Sequence, residues 1–236
     1  MELTLARIRL PHDLDGASVR SMRCELDQAL RGDAPVILLE GASSEVFCLG
    51  LALARAVGEP ATHTFSALLT AMHQAPKPLV AVVDGQAIGG GMGLACACDW
   101  LIASDRASFA LPELLWGLVP AIIWPVVTDR LPVHVARHWT VTAHARSAAE
   151  ARAAGLVDDV VPVVGLDDAV RRAVRTLRRL EPRALCRLRA WSRESRESDM
   201  PAALQRGADL TAAMLGEPRV RERWQTFADG GTPWSV

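Results

Sequence analysis

The chain has 236 residues, half of them hydrophobic, which is enough for one large domain or for a domain with an appendage. Its formal net charge is −1, with 27 acidic residues interleaved among 26 basic ones, of which Lys77 is the single lysine. This balance argues against nucleic-acid binding, and the lack of a charge-free apolar window of about 18 residues argues against a membrane span. We therefore expect neither nucleic acid nor membrane as a partner.

The five cysteines have neither the even number nor the spacing of a disulfide framework. Cys96 and Cys98 lie two residues apart in an apolar segment rather than in a C-x-x-C pair, so no metal site is predicted. The N-terminus shows no signal-peptide pattern. These features predict reduced thiols and a cytoplasmic location.

Strands and helices alternate in the first half of the chain. Alternating or continuous apolar runs predict strands at residues 3–10, 36–39, 79–83, 99–103 and 107–111. Apolar residues at helical spacing predict helices at 18–30 and 63–74, and residues 42–51 are predicted to form a loop. Such alternation is typical of an α/β fold.

The second half is mainly helical. Helices are predicted at 121–129, 132–139 and 147–154, the last capped by Ser147 and stopped by Gly155. A strand-like segment follows at 156–161, and the Arg- and Glu-rich tail from residue 166 onward has helical periodicity.

The most informative segment is a buried strand at 80–83 that leads to Gly89, Gly90 and Gly91 and then to a helix of small residues. Glycine lets the backbone approach a ligand closely, because no Cβ intervenes. The start of a helix adds free N–H groups and the positive end of the dipole. The segment can therefore form an oxyanion hole, and a simple strand-to-helix turn is the equally weighted alternative.

Two further features favour the interpretation of this segment as an oxyanion hole. Gly50 lies between two leucines, so the N–H of Leu51 can point into a pocket and supply a second donor for an enolate or thioester oxygen. Glu113 follows a predicted strand and precedes an apolar stretch, which would raise its pKa toward a range useful for proton transfer. The alternative for Glu113 is an ordinary N-terminal helix glutamate beside Pro112.

These motifs resemble those of the crotonase, or enoyl-CoA hydratase/isomerase, superfamily. The resemblance is carried by Phe47 to Leu51, Lys77-Pro78, Asp84-Gly85, Gly89 to Gly91, Cys98-Asp99, Phe109, Pro112-Glu113, Gly117 and Ala154 to Val157. It implies a crotonase-like ββα spiral core with the active site at residues 1–165. It also implies a C-terminal helical trimerisation region at 166–236 and a homotrimer or dimer of trimers.

The same resemblance implies that the N–H groups of Leu51 and Gly90 hold the carbonyl of an acyl thioester while Glu113 acts as acid and base. The other residues expected at the substrate are Leu49, Gly50, Ala52, Gly89, Gly91, Trp116 and Leu118. An apolar wall is predicted from Trp116, Leu118, Ile122, Ile123 and Trp124. The acyl chain would be carried on coenzyme A or on the phosphopantetheine of an acyl carrier protein, with no further cofactor.

The chain also departs from the common hydratase pattern. Hydratases of that type carry two glutamates, and the first falls here on Gly93. Ala52 stands where an aspartate is often found. Water addition by two carboxylates is therefore not expected, whereas chemistry with one glutamate remains open.

Residues 91–94, 108–118 and 120–121 resemble the dehydratases of polyketide β-branching, which act on 3-hydroxy-3-methylglutaryl chains on an acyl carrier protein. The lack of lysine at positions 52–75 disfavours the decarboxylases of the same cassettes. The leading hypothesis is thus a 3-hydroxyacyl-thioester dehydratase. An enoyl-thioester isomerase and a non-catalytic acyl-thioester-binding protein are the alternatives, and no histidine is assigned a role.

Overall fold

The computed structural model describes residues 5–52 and 61–196, together with separate positions between 206 and 229. Contacts divide the chain into two compact units, residues 1–178 and 179–236. The described strands are β1 (Ala6–Arg9), β2 (Ile37–Glu40), β3 (Val46–Cys48), β4 (Leu79–Val83), β5 (Gln86–Ile88), β6 (Trp100–Ser104), β7 (Ser108–Ala110), β8 (Arg146–Ser147) and β9 (Asp159–Val161). The described helices are α1 (Gly16–Arg31), α2 (Ala61–His73), α3 (Gly90–Cys96), α4 (Trp124–Arg130), α5 (Val133–Thr142), α6 (Ala148–Ala153), α7 (Leu166–Leu177) and α8 (Pro182–Arg196).

The larger sheet is parallel and has the spatial order β1-β2-β4-β6-β9. In its register, Ile37 pairs with Ala6 on one side and with Leu79 on the other. Strands covered on both faces consist of continuous apolar runs. Leu79–Val83 is such a run, and all five of its residues are buried. The α/β architecture predicted from the sequence is therefore confirmed.

The smaller sheet has the order β3-β5-β7-β8, with β3, β5 and β7 parallel and β8 antiparallel to β7. The sequence predicts a loop at 42–51, and this prediction is wrong for Val46–Cys48, which form β3. β5 also escaped prediction, because three-residue strands are too short for an alternating pattern to be recognised.

Side-chain caps fix the start of two helices. The N–H of Glu150 donates to Ser147 Oγ, and the N–H of Ser147 donates to Glu150 Oε2 at 2.8 Å. This reciprocal capping box starts α6 next to the predicted position. Asp15 and Ser18 make the same exchange at the start of α1.

Helix α7 covers one face of the larger sheet. Its buried residues Val170, Ala173 and Val174 join a cluster with Val36 and Val80. The sequence places residues 166 onward in a separate assembly region, but α7 belongs to the first compact unit because its apolar face packs on the sheet. A trimerisation role for the remaining tail stays a prediction.

The second unit contains α8, in which Arg187 forms an ion pair with Glu217. Residues 3 and 4 of the first predicted strand, and most of the tail beyond 196, lie outside the described residues. No helix among the described residues is both long and apolar enough to cross a membrane.

Candidate active site

Three neighbouring parallel strands bring the predicted site residues together. β3, β5 and β7 are adjacent in the smaller sheet, so their carboxyl ends meet at one edge. The loop that begins at Leu49 follows β3, the glycine triplet follows β5, and Glu113 follows β7. Ligands of parallel sheets commonly bind at this edge.

Each glycine of the triplet has a different close neighbour. A Cβ at Gly89, whose φ is +50°, would lie 2.8 Å from Glu113 Oε1. A Cβ at Gly90 would lie 3.2 Å from the Cα of Gly50, and one at Gly91 would lie 2.0 Å from the Cys48 carbonyl oxygen. The triplet thus lets the first loop and the carboxylate approach the same turn of backbone.

The N–H of Leu51 points away from the neighbouring segment that contains Leu14. The carbonyl of Gly50 accepts a hydrogen bond from the N–H of Leu14 at 2.7 Å. In a planar trans peptide the C=O and the following N–H point in opposite directions, so the Leu51 N–H faces the other side. It donates to no group among residues 5–52 and 61–196.

The amide of Gly90 is also available. Gly90 is the first residue of α3, so its N–H has no carbonyl partner within the helix. The carbonyl of the preceding Gly89 accepts from Gly93 N–H at 3.0 Å, which directs the Gly90 N–H out of the helix start. Both predicted oxyanion donors therefore belong to neighbouring segments, since a Cβ at Gly50 would lie 2.7 Å from Gly90 N.

Glu113 begins a 3₁₀ turn that runs to Trp116 and ends at Gly117 in the left-handed region. Its Oε2 atom is buried and has no hydrogen-bond partner among the described residues. Burial disfavours the ionised form and raises the pKa of the Glu113 carboxyl above its usual 4.5. An unpartnered carboxylate of raised pKa is suited to taking up and returning a proton.

A cavity of about 250 Å³ joins these groups. Its walls are mostly apolar, and Glu113 is the one titratable side chain among the described residues that line it. The lining residues are Leu49, Leu51, Thr62, Phe65, Ile88, Gly89, Gly90, Pro112, Glu113, Trp116, Leu118, Val119, Pro120, Ala121, Ile122 and Ile123. Such a site suits an acyl chain with one reacting polar centre.

Most predicted site residues face this cavity, and three do not. Glu113, Leu51, Gly90, Leu49, Gly89, Trp116 and Leu118 line it. Gly50 and Gly91 instead pack against neighbouring backbone, and the N–H of Ala52 donates to the Leu14 carbonyl. These three lie beside the cavity rather than among its lining residues, and their role at the substrate stays a prediction.

The apolar wall differs from prediction in a similar way. Ile122 and Ile123 line the cavity, whereas Trp124 lines a neighbouring groove with Leu114 and Arg137. Phe65 and Val119 were missed as cavity residues. Phe65 is fully buried on the apolar face of α2, so its sequence pattern is that of any core residue.

Metal-binding and disulfide chemistry have no counterpart in the described structure. No cluster of three or more His, Cys, Asp or Glu side chains that could hold a metal occurs among the described residues. None of the five cysteines, all within the described residues, forms a disulfide bond. Burial raises the pKa of Cys48 to about 11 and that of Cys96 to about 12, which keeps both thiols protonated and unreactive.

Comparisons with known proteins agree with this geometry. The family model for enoyl-CoA hydratase/isomerase matches residues 17–235. The chain is 35% identical over 182 residues to a carnitinyl-CoA dehydratase of Proteus mirabilis, which covers 75% of this chain and 68% of that protein.

Solved structures extend the likeness over nearly the whole chain. Pseudomonas aeruginosa AtuE is 32% identical with a TM-score of 0.85, covering 98% of this chain and 96% of its own. An enoyl-CoA hydratase from Bacillus anthracis is 25% identical with a TM-score of 0.84, covering 97% and 94% respectively. Because the family model matches most of its length and a relative is 35% identical, the chain belongs to the enoyl-CoA hydratase/isomerase family of the crotonase superfamily.

Proposed function

We propose that this protein is a lyase that removes water from a 3-hydroxyacyl thioester, with Glu113 as its single acid and base. The observation that carries the proposal is the buried Glu113 Oε2, which has no partner among the described residues and lies in a cavity edged by the amides of Leu51 and Gly90. The hydratase and dehydratase chemistry of acyl-CoA thioesters is that of the family, and the Proteus mirabilis relative is named a dehydratase.

The reaction is balanced with these groups alone. The Glu113 carboxylate takes the proton from Cα, and the electron pair of that bond forms an enolate. The N–H groups of Leu51 and Gly90 donate to the enolate oxygen, an interaction whose loss typically costs about 10²- to 10³-fold in rate. When the enolate collapses, the Cβ–O bond breaks, and protonated Glu113 returns its proton to the departing hydroxide. Water and an α,β-enoyl thioester result, so no redox or metal cofactor is required.

The proposed test uses 3-hydroxybutyryl-CoA and but-3-enoyl-CoA, with formation of the conjugated product followed by absorbance. We expect the wild-type protein to dehydrate the first substrate. Glu113→Gln keeps the shape of the side chain but removes the base, so turnover should fall about 10²- to 10⁴-fold while thioester binding persists. Turnover of but-3-enoyl-CoA alone would identify an isomerase, and full activity of Glu113→Gln would refute the assignment.

A finer proposal concerns the acyl group and its carrier. The motifs at 91–94 and 108–118 resemble polyketide β-branching dehydratases, which supports a 3-hydroxy-3-methylglutaryl chain on an acyl carrier protein in polyketide biosynthesis. Comparing the same acyl group on coenzyme A and on a carrier protein tests this. A higher kcat/KM for the carrier-bound form is the expected result, and equal values would favour coenzyme A.

Assembly and location are proposed on separate grounds. A homotrimer or dimer of trimers follows from the family resemblance, and sedimentation equilibrium would measure it. Five cysteines without a disulfide bond suit a reducing compartment, so a cytoplasmic location is proposed.

A further inference from the structure

Ile123 occupies the space into which any side chain at position 93 would project. A Cβ at Gly93 would lie 2.3 Å from Ile123 Cγ2 and 2.7 Å from Ile123 Cβ. Ile123 Cβ is attached directly to the backbone, so no change of rotamer removes the second contact. Ile123 is only 3% exposed and lines the cavity. The site therefore has an isoleucine where a two-carboxylate hydratase would carry its first glutamate.

Ile123 and Glu113 line the same cavity. Gly89 and Gly93 are one helical turn apart, joined by the hydrogen bond from Gly93 N–H to the Gly89 carbonyl. Gly89 is the N-cap of α3, with φ +50° and ψ −118°, and Gly93 lies at the end of the first helical turn. Glu113 Oε1 is the atom nearest to a Cβ at Gly89, and Ile123 Cγ2 is the atom nearest to a Cβ at Gly93, so the carboxylate and the isoleucine both pack on the first turn of α3.

We propose that Ile123 is a specificity-determining residue that sorts the substituents on Cβ of the substrate, and this inference rests on the dehydratase function proposed above. The hydrocarbon substituent packs against Ile123, which leaves the hydroxyl to face Glu113. In the opposite enantiomer the hydroxyl would lie against Ile123 without a hydrogen-bond partner. A buried hydroxyl that loses water without replacement is disfavoured, so one enantiomer reacts faster.

Ile123 has a second effect through water. Its side chain lines the same apolar cavity as Glu113, a carboxyl whose pKa is raised by burial. The lining residues described here include no other titratable group, so changes at position 123 act on Glu113 through solvation rather than through charge. A smaller or polar residue there should admit water and lower the pKa of Glu113.

The experiment compares wild type, Ile123→Val, Ile123→Thr and Ile123→Ala on the two enantiomers of 3-hydroxybutyryl-CoA. Valine and threonine have the same shape, so their difference isolates the hydroxyl. We expect wild type and Ile123→Val to prefer the same enantiomer, by roughly 10- to 100-fold in kcat/KM. Ile123→Thr can satisfy the misplaced hydroxyl, so its preference should fall about tenfold. Ile123→Ala admits water, so its enantiomer preference should also fall about tenfold. It provides a second variant if Ile123→Thr folds poorly.

Val127→Ala is the matched control. Val127 is fully buried one turn later, its N–H donates to the Ile123 carbonyl, and it does not line the cavity. Its loss should lower stability and leave both the enantiomer ratio and the pH profile unchanged.

The outcomes separate the two proposals. A fall in the ratio for Ile123→Thr and Ile123→Ala, with the acid limb of their kcat/KM profiles at lower pH, supports the inference. An unchanged ratio and limb in folded, active variants would overturn it and leave the dehydratase function standing. If wild type dehydrates neither enantiomer nor the 3-hydroxy-3-methylglutaryl thioesters on coenzyme A and carrier protein, the dehydratase function fails and the role of Ile123 falls with it.

Discussion

At the scale of single residues, the burial of Glu113 has two opposing effects on its use as a base. Its Oε2 has no partner among the described residues, which leaves it available to a substrate but makes its ionised form costly. The cause of its raised pKa is burial, partly offset by a hydrogen bond from its own backbone. This origin gives the pH dependence a definite sign.

We expect kcat/KM to fall as the pH drops through the raised pKa of Glu113, because the protonated carboxyl cannot take a proton from Cα. The acid limb should therefore lie above 4.5, the usual value for a glutamate. Steady-state kinetics between about pH 4 and 9 measures it, with circular dichroism to exclude acid unfolding. A limb at or below 4.5 would contradict the burial of this group.

Gly89 and Gly117 offer a matched pair of substitutions at this site. Both have positive φ, +50° and +71°, so an alanine at either position incurs backbone strain of about 1–3 kcal/mol. A Cβ at Gly89 would meet Glu113 Oε1 at 2.8 Å, whereas one at Gly117 would meet nothing within 4 Å. Gly89→Ala should therefore lose at least about tenfold in kcat by displacing the carboxylate, since small misplacements are costly in catalysis. Gly117→Ala should lose stability alone, and equal activities of the two variants would argue against the contact.

At the scale of elements, α3 is anchored at its end by one arginine. The Arg130 side chain is 13% exposed and donates to the carbonyls of Cys96, Cys98 and Leu156 and to Asp158 Oδ2. Cys96 is the last residue of α3, so the guanidinium supplies donors to carbonyls that the helix leaves free. The start of the same helix provides the Gly90 amide.

Arg130→Ala should destabilise the protein by about 3 kcal/mol, because several partly buried acceptors lose a charged donor together. Arg130→Lys retains the charge but not the planar set of donors, so an intermediate loss is expected. Urea denaturation measures both. A loss below about 0.5 kcal/mol for Arg130→Ala, the usual range for surface substitutions, would show that α3 does not depend on this arginine.

The same scale explains which parts of the architecture are predictable from sequence. The run Leu79–Val83 predicts a buried strand because all its side chains are apolar. β3 and β5 carry the site yet have three residues each, too few for a pattern. Glu113 and the glycine loops could be identified from residue type and order. The contact between Gly93 and Ile123 could not, because it joins positions 30 apart in the chain through the packing of α3 on α4.

At the scale of the whole molecule, the described groups with a proposed catalytic role lie within the first compact unit. Leu51, Gly90, Glu113 and Ile123 all precede residue 178. The sequence assigns α7 to a separate region, since a strongly amphipathic, charged helix gives no sign of which surface its apolar face will cover. Its place on the larger sheet is a property of the tertiary packing.

The cavity combines main-chain N–H groups with side chains, and this combination affects how new activities can arise in such an enzyme. Because the groups directed at the thioester oxygen are peptide N–H groups, ordinary point substitution cannot delete them, short of proline or a distorted backbone. Positions 93, 113 and 123, by contrast, act through their side chains or the lack of one, which point substitutions can change. New activities can therefore arise by exchanging a few side chains around unchanged main-chain donors, and a side chain can be added at position 93 only when Ile123 or its packing changes with it.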